Sequence, residues 1–293
     1  LLCGEEFQTV FDKLLDGFSI EVMPRTLQKV ENLGQLFPAK TRVYIAHIEG
    51  VAFSDMLATA KRLSGLNYRV MPHFPARIIE NKTVLQDWVK AYVEEAGVSE
   101  ALLLAGSPRS AIGTLDNSME LLETEIFDKF GFKRLHVAGH PEGNRDIEPE
   151  SSGQKITEAL EWKQLFSERT DAEMAIVTQF AFSADLVVEW AASLKENKID
   201  LPIHVGVAGP TKLQTLIKFA VSCGVGPSLK VLQKRATDLS KLLLPYEPTE
   251  VLGDLQTLLG DSKTTNITNI HFFPLGGIQA TAEWITGRLD LAA

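Results

Sequence analysis

Short apolar runs rich in Val, Ile, Leu and Phe recur along the chain, and an amphipathic stretch follows each one. The runs are Gly17–Pro24, Thr41–His47, Tyr68–Pro75, Ala101–Gly106, Leu135–His140, Met174–Phe180, Ile203–Ala208 and Asn269–Pro274. Runs of this length predict buried strands. Between them, apolar residues return at helical spacing in Phe53–Leu63, Thr83–Ala96, Asn117–Phe130, Lys155–Phe166, Ala184–Asn197 and Thr211–Cys223. The stretch Thr26–Leu36 fills the first gap, and Ala280–Leu289 closes the series. A helical pair, Pro227–Leu242 and Pro248–Leu259, precedes the last strand, and Glu6–Asp16 leads the first. No fixed-length sequence repeat accompanies the alternation.

Eight strand-then-helix units predict an α/β fold, a single (β/α)₈ TIM barrel with extra helices between strands 7 and 8. One domain spanning residues 1–293 is expected, because no linker or low-complexity tract interrupts the pattern. An open, doubly wound sheet is the rival, but no GxGxxG follows the first strand. In a barrel, chemistry is expected where strands end and the following loops begin.

Composition narrows the classes. The 293 residues hold 29 Lys and Arg against 38 Asp and Glu, a net charge of −9, with no basic cluster, so nucleic acid is not expected as a partner. No apolar run reaches the roughly 20 residues of a membrane helix, so no membrane is expected either. The chain does not open with a basic-then-apolar leader, and its two cysteines, Cys3 and Cys223, lie outside any CxxC. That usage fits a reducing compartment, and a cytoplasmic protein is expected. A homo-oligomer is left open.

The polar residues at strand ends carry the candidate chemistry. Glu21 interrupts the apolar FSIEVMP. Burial there would raise its pKa and make it a proton donor near neutral pH, or it is a strand-end carboxylate paired with a neighbouring cation. All six histidines, His47, His73, His136, His140, His204 and His271, fall in the strand segments, which invites a metal site. Spacing opposes it: His136 and His140 stand roughly 13 Å apart along one strand, and no HxH or HExxH occurs. The simpler reading makes them hydrogen-bonded wall residues. Gln179 ends AIVTQF, where a primary amide suits an amide-like heterocycle edge or satisfies strand-end backbone groups. Gly206, Gly209, Gly276 and Gly277 follow the last two strands and allow either a ligand's approach or tight turns.

Seven segments, in order, resemble the methylenetetrahydrofolate reductase family. FSIEVMP is similar to the family's first-strand segment. HFPAR at His73–Arg77 resembles its HLxxR-like segment, LLLAGSP at Leu102–Pro108 its LxLRGDxP, and GHPEGN at Gly139–Asn144 its YPExH. AIVTQFAF at Ala175–Phe182 resembles ITQxFF, FAVSCG at Phe219–Gly224 resembles FAxxCG, and HFFPL at His271–Leu275 resembles HFYTLN.

The resemblance implies a barrel oxidoreductase of one-carbon metabolism, in which hydride passes from NAD(P)H through FAD between methylene- and methyltetrahydrofolate. It implies Glu21 as the general acid that opens the folate ring, and Gln179 as the amide that orients folate. It places His73, Ala105, Gly106, Ser107, Ser118, His140 and Asn144 beside the cofactor, and Leu213 and Phe273 beside the substrate with Gln179. The chain departs from the pattern where the cofactor is held. Ala105 and Ser107 stand where the family has Arg and Asp, His140 and Asn144 where it has Tyr and His, and Gly276-Gly277 where it has Asn-Arg. Leu213 replaces an aromatic. A weakened flavin grip is therefore expected, with direct hydride transfer from the nicotinamide if flavin is absent. Two other readings stand beside this one: a folate-binding barrel without reductase activity, and a metal-dependent barrel hydrolase or isomerase.

Overall fold

The computed structural model describes residues 15–148, 153–222, 245–261 and 265–292. Cys3, Cys223, the stretch Pro227–Leu242 and the leading segment as far as residue 14 lie outside them. The eight expected strands are present: β1 Ser19–Val22, β2 Arg42–Ile45, β3 Arg69–Pro75, β4 Glu100–Leu104, β5 Arg134–Gly139, β6 Glu173–Phe180, β7 Ile203–Ala208 and β8 Ile267–Phe273. They follow one another, parallel and in chain order, in a closed barrel. The helices are α1 Pro24–Leu27, α2 Phe53–Gly65, α3 Lys82–Ala96, α4 Ser118–Glu123, α5 Ile126–Lys129, α6 Gln154–Ser167, α7 Ala184–Glu196, α8 Leu213–Ser222, α9 Thr249–Asp261 and α10 Ile278–Ala292. Among the described residues no helix is long and apolar enough to cross a membrane.

Local chemistry sets the helix ends. The Asn81 side chain accepts from Thr83 N and Val84 N at the start of α3, and Gly97 closes it at φ 62. Two expected helices are broken. Asn117–Phe130 divides at Glu125, which turns left-handed at φ 57. The neighbouring Thr124 hydroxyl donates to the Leu121 carbonyl and accepts from Ile126 N, ending one helix and starting the next. Thr26–Leu36 yields only α1 and a 3₁₀ turn at Leu33–Gln35, because Asn32 and Gly34 are poor helix formers.

Two compact units make up the chain: Ile20–Ala138 with Trp162–Ile176, and Leu1–Ser19 with Gly139–Glu161 and Val177–Ala293. In the first, Phe74 packs outward on Tyr92 of α3 and on Phe127 of α5, so the adjacent His73 faces inward. The register Arg42↔Arg69, Tyr44↔Met71 and Leu102↔His136 arranges the inward side chains in tiers. The tier at the strand starts is charged. Glu100, almost fully buried, accepts from Arg42 Nε at 2.7 Å and Arg69 Nε at 2.8 Å, with Arg134 Nε at 3.9 Å. Arg134 also pairs with Glu173. Removing one partner of such a buried set costs about 3–5 kcal/mol, because the rest is left uncompensated. This tier lies at the amino ends of the strands, where conserving structure rather than catalysis is the usual role.

In the second unit, Phe180, Phe182, Ala208, Leu213, Leu216, Ala220 and Tyr246 form one apolar cluster. Three of the glycines after or within the late strands are there for their own chain. A Cβ on Gly206 would stand 2.4 Å from the Thr178 carbonyl oxygen, one on Gly209 2.3 Å from Thr281 Oγ1, and one on Gly276 2.0 Å from the Pro210 carbonyl oxygen. Gly277 turns the chain at φ +115.

Candidate functional site

Six of the seven resembling segments reach the carboxy end of a strand. FSIEVMP contains β1, HFPAR ends β3, LLLAGSP runs out of β4, GHPEGN runs out of β5, AIVTQFAF carries the end of β6, and HFFPL ends β8. FAVSCG belongs to α8 and runs beyond the described residues. Each unit of the chain contributes one polar cluster at such ends.

The first cluster is built on β1, β2, β3 and β5. Glu21 Oε2 lies 3.3 Å from His73 Nε2, with the glutamate side chain 21% exposed and the imidazole 9%. The contact is close but off line for a hydrogen bond, and His73 Nε2 has no other partner among the described residues. The Tyr44 ring stands edge-on to His73, its centroid 6.3 Å away, and the Tyr44 hydroxyl meets His136 Nδ1 at 2.6 Å. His47, at the end of β2, sets its Nε2 3.0 Å from the Val51 carbonyl oxygen and its ring 5.1 Å from that of Trp88. A carbonyl only accepts, so Nε2 carries the proton and Nδ1 is a bare lone pair. Burial pushes the His47 pKa below its ordinary value; the hydrogen bond to Val51 opposes this, and the nearby His73 adds to it. His47 is therefore neutral at pH 7.

The loop after β4 closes on itself. Arg77 donates through Nε to Asp116 Oδ1 at 2.9 Å and through Nη1 to the Pro108 carbonyl at 3.0 Å. Its backbone N–H donates to the Ala105 carbonyl. Gly106, at φ +101, is pressed so close to Pro75 that a Cβ would stand 2.9 Å from the proline's own. Ser107 is exposed, and Ser118 is buried at the first turn of α4.

The second cluster is a small concavity of about 40 Å³ formed by His140, Pro141, Glu142, Gly143 and Asn144 with Gln179, Phe180 and Ala181. Gly143 turns at φ +79 and donates to the His140 carbonyl. The Asn144 side-chain oxygen accepts from Asp146 N at 2.9 Å. Gln179 Oε1 accepts from Phe180 N at 3.1 Å. An atom that accepts from a backbone N–H is the amide oxygen, so the Gln179 NH₂ is the end left over, and it has no hydrogen bond among the described residues. The Gln179 oxygen thus satisfies a strand-end backbone group, the simpler of the two sequence readings. Phe273 stands edge-on to Phe180 at 5.5 Å, while Leu213 lies 3% exposed within the apolar cluster.

His271 bonds the Ser19 hydroxyl through Nδ1 at 2.8 Å. Among the described residues, no three His, Cys, Asp or Glu side chains are grouped to hold one metal ion. Residue reading alone missed the Tyr44–His136 pair, the Arg77–Asp116 clamp and the charged tier. The last had a signal: β2, β3 and β5 each open with Arg, and β4 and β6 with Glu.

No protein-family model matches the chain. Among solved structures it is similar to 7,8-dihydropteroate synthase from Vibrio fischeri, at 10% identity and TM-score 0.46 over 93% of each chain. It is similar to dihydropteroate synthase from Anaplasma phagocytophilum with bound 6-hydroxymethylpterin-monophosphate, at 11% identity and TM-score 0.45 over 94% of this chain and 99% of that one. It is also similar to TsXylA, the intracellular xylanase of Thermoanaerobacterium saccharolyticum, at 12% identity and TM-score 0.43 over 90% and 88%. Likenesses at this level decide nothing about the chemistry, which rests on the chain's own residues.

Proposed function

We propose that the protein interconverts 5,10-methylenetetrahydrofolate and 5-methyltetrahydrofolate with NAD(P)H, using Glu21 as the general acid. The observation that carries this reading is the placement of the resembling segments: six reach carboxy ends of barrel strands, where barrel enzymes hold their catalytic groups. Two acids lie in these segments, Glu21 and Glu142; Glu21 is the one on a strand, between the apolar Ile20 and Val22 and partly open.

In the reductive direction, the Glu21 O–H bond breaks and its proton goes to the departing ring nitrogen. The carbon–nitrogen bond then breaks with its electron pair moving to that nitrogen, leaving an iminium on the other. Hydride from NAD(P)H converts the iminium to the methyl group, and the oxidised nicotinamide is released. The chain's part is to supply the proton and to hold donor and acceptor carbons together out of water.

Flavin is the group that the resemblance calls for, and the residues present do not fit it. Position 105 is an alanine whose carbonyl is taken by Arg77, Ser107 carries no charge, the Asn144 oxygen caps its own turn, and Arg77 is spent on Asp116 and Pro108. NAD(P)H is the proposed hydride source.

Glu21→Gln keeps size and hydrogen bonding but removes the transferable proton. It lowers folate turnover by ~10²–10⁴-fold, the usual contribution of general acid catalysis, with folate affinity kept within about tenfold. Steady-state turnover and equilibrium folate binding, measured side by side, check this. Near-normal turnover in the variant would remove Glu21 from the mechanism.

A further inference from the structure

His73 belongs to the cofactor by resemblance, but its surroundings belong to Glu21. Its imidazole is almost fully buried, its Nε2 lies 3.3 Å from Glu21 Oε2, and no other described group bonds that nitrogen. Glu21 is the more open of the two. Among the titratable groups placed against this pair are Tyr44 and His47 on or just beyond β2, with His136 of β5 reached through the Tyr44 hydroxyl. His47 is fixed by Val51 and Trp88 and adds no charge at pH 7.

We propose that His73 is the positioning residue of the Glu21 acid: it holds the carboxyl group in place and receives the carboxylate with an N–H once the proton has gone to substrate. This rests on the folate reading above and deepens it. The arrangement balances: the Glu21 O–H breaks as the substrate N–H forms, and the new negative charge on Oε2 faces His73 Nε2–H. A 3.3 Å off-line contact in the unliganded chain is the form expected of a pair that tightens only around the reacting complex.

The test combines spectroscopy with kinetics. In ¹⁵N NMR of the whole protein, Glu21→Gln shifts the His73 Nε2 resonance and leaves those of His204 and His271 in place. His73→Gln lowers kcat for folate about 10–100-fold with KM for folate and for NAD(P)H within about threefold, and binding of NAD(P)H and of added FAD measured directly is unchanged. The double variant is no slower than Glu21→Gln alone, because the two side chains act as one unit. The proposal is overturned if Glu21→Gln leaves the His73 resonance unmoved, a result that needs no folding of a His73 variant. It is equally overturned if His73→Gln weakens NAD(P)H or FAD binding while kcat holds. A wild-type protein that turns over no folate with NAD(P)H overturns the folate reading itself, and this proposal with it.

Discussion

Lys163 sits on the core-facing stripe of α6, with Ile156 and Leu160 above it and Phe166 below, and only 7% of its surface is exposed. No carboxylate pairs with it among the described residues. Burial pulls its pKa down to about 8. The unfolded lysine therefore binds a proton that the folded one releases between about pH 8 and 10.5, so stability rises with pH across that window. The full gain is about 3 kcal/mol, and below pH 8 the folded chain carries a buried cation. Lys163→Met should raise stability at pH 7 by ~1–3 kcal/mol and flatten the rise between pH 8 and 10. Urea midpoints of both proteins at pH 7 and 9.5 measure it; parallel pH dependences would mean that the ammonium group reaches water.

At the scale of elements, the end of β6 depends on a missing side chain in β7. Gly206 lets the Thr178–Gln179 backbone lie against it, and the Thr178 hydroxyl accepts from Gly206 N at 2.8 Å. Gly206→Ala would drive a methyl group into the Thr178 carbonyl and the Phe273 ring, costing ~1–3 kcal/mol and moving Gln179 off its cap on Phe180. Gly253, inside α9 with open space around it, is the control: Gly253→Ala should add about 0.5–1 kcal/mol instead. Thermal melts separate the two, and on the proposed folate reading affinity for folate falls only in the first. The helices show the same dependence on single groups. The break at Glu125 was not legible in a periodic pattern that continues through it, because a Thr124 hydroxyl decided it.

At the scale of the molecule, the barrel was legible because burial on both faces of each strand writes an unbroken apolar run, and the helices between write their own period. Glu21 and Gln179 stood out because each is a polar residue in such a run. Which residues neighbour Glu21 was not legible. His73 reaches it from two strands away in a barrel, and Tyr44 reaches His136 across 92 residues, so neither meeting exists in any window of sequence. The charged tier around Glu100 was hidden for the same reason, although the Arg and Glu that open successive strands were in view.

The stack of Phe53, Trp88 and His47 gives the molecule an optical gauge. Trp88 lies flat on Phe53 at 4.8 Å and 5.1 Å from the His47 ring. An imidazolium withdraws an electron from an excited indole and quenches its emission; a neutral imidazole does so far less. As the pH falls below the ordinary imidazole range, His47 takes up its proton and Trp88 should dim. Replacing it by Phe in Trp88→Phe should abolish that step while leaving the emission of Trp162, Trp190 and Trp284. A step that survives in Trp88→Phe would assign the signal elsewhere. Light from one residue would then report a protonation event beside Glu21 and His73 in the resting protein, before any substrate is added.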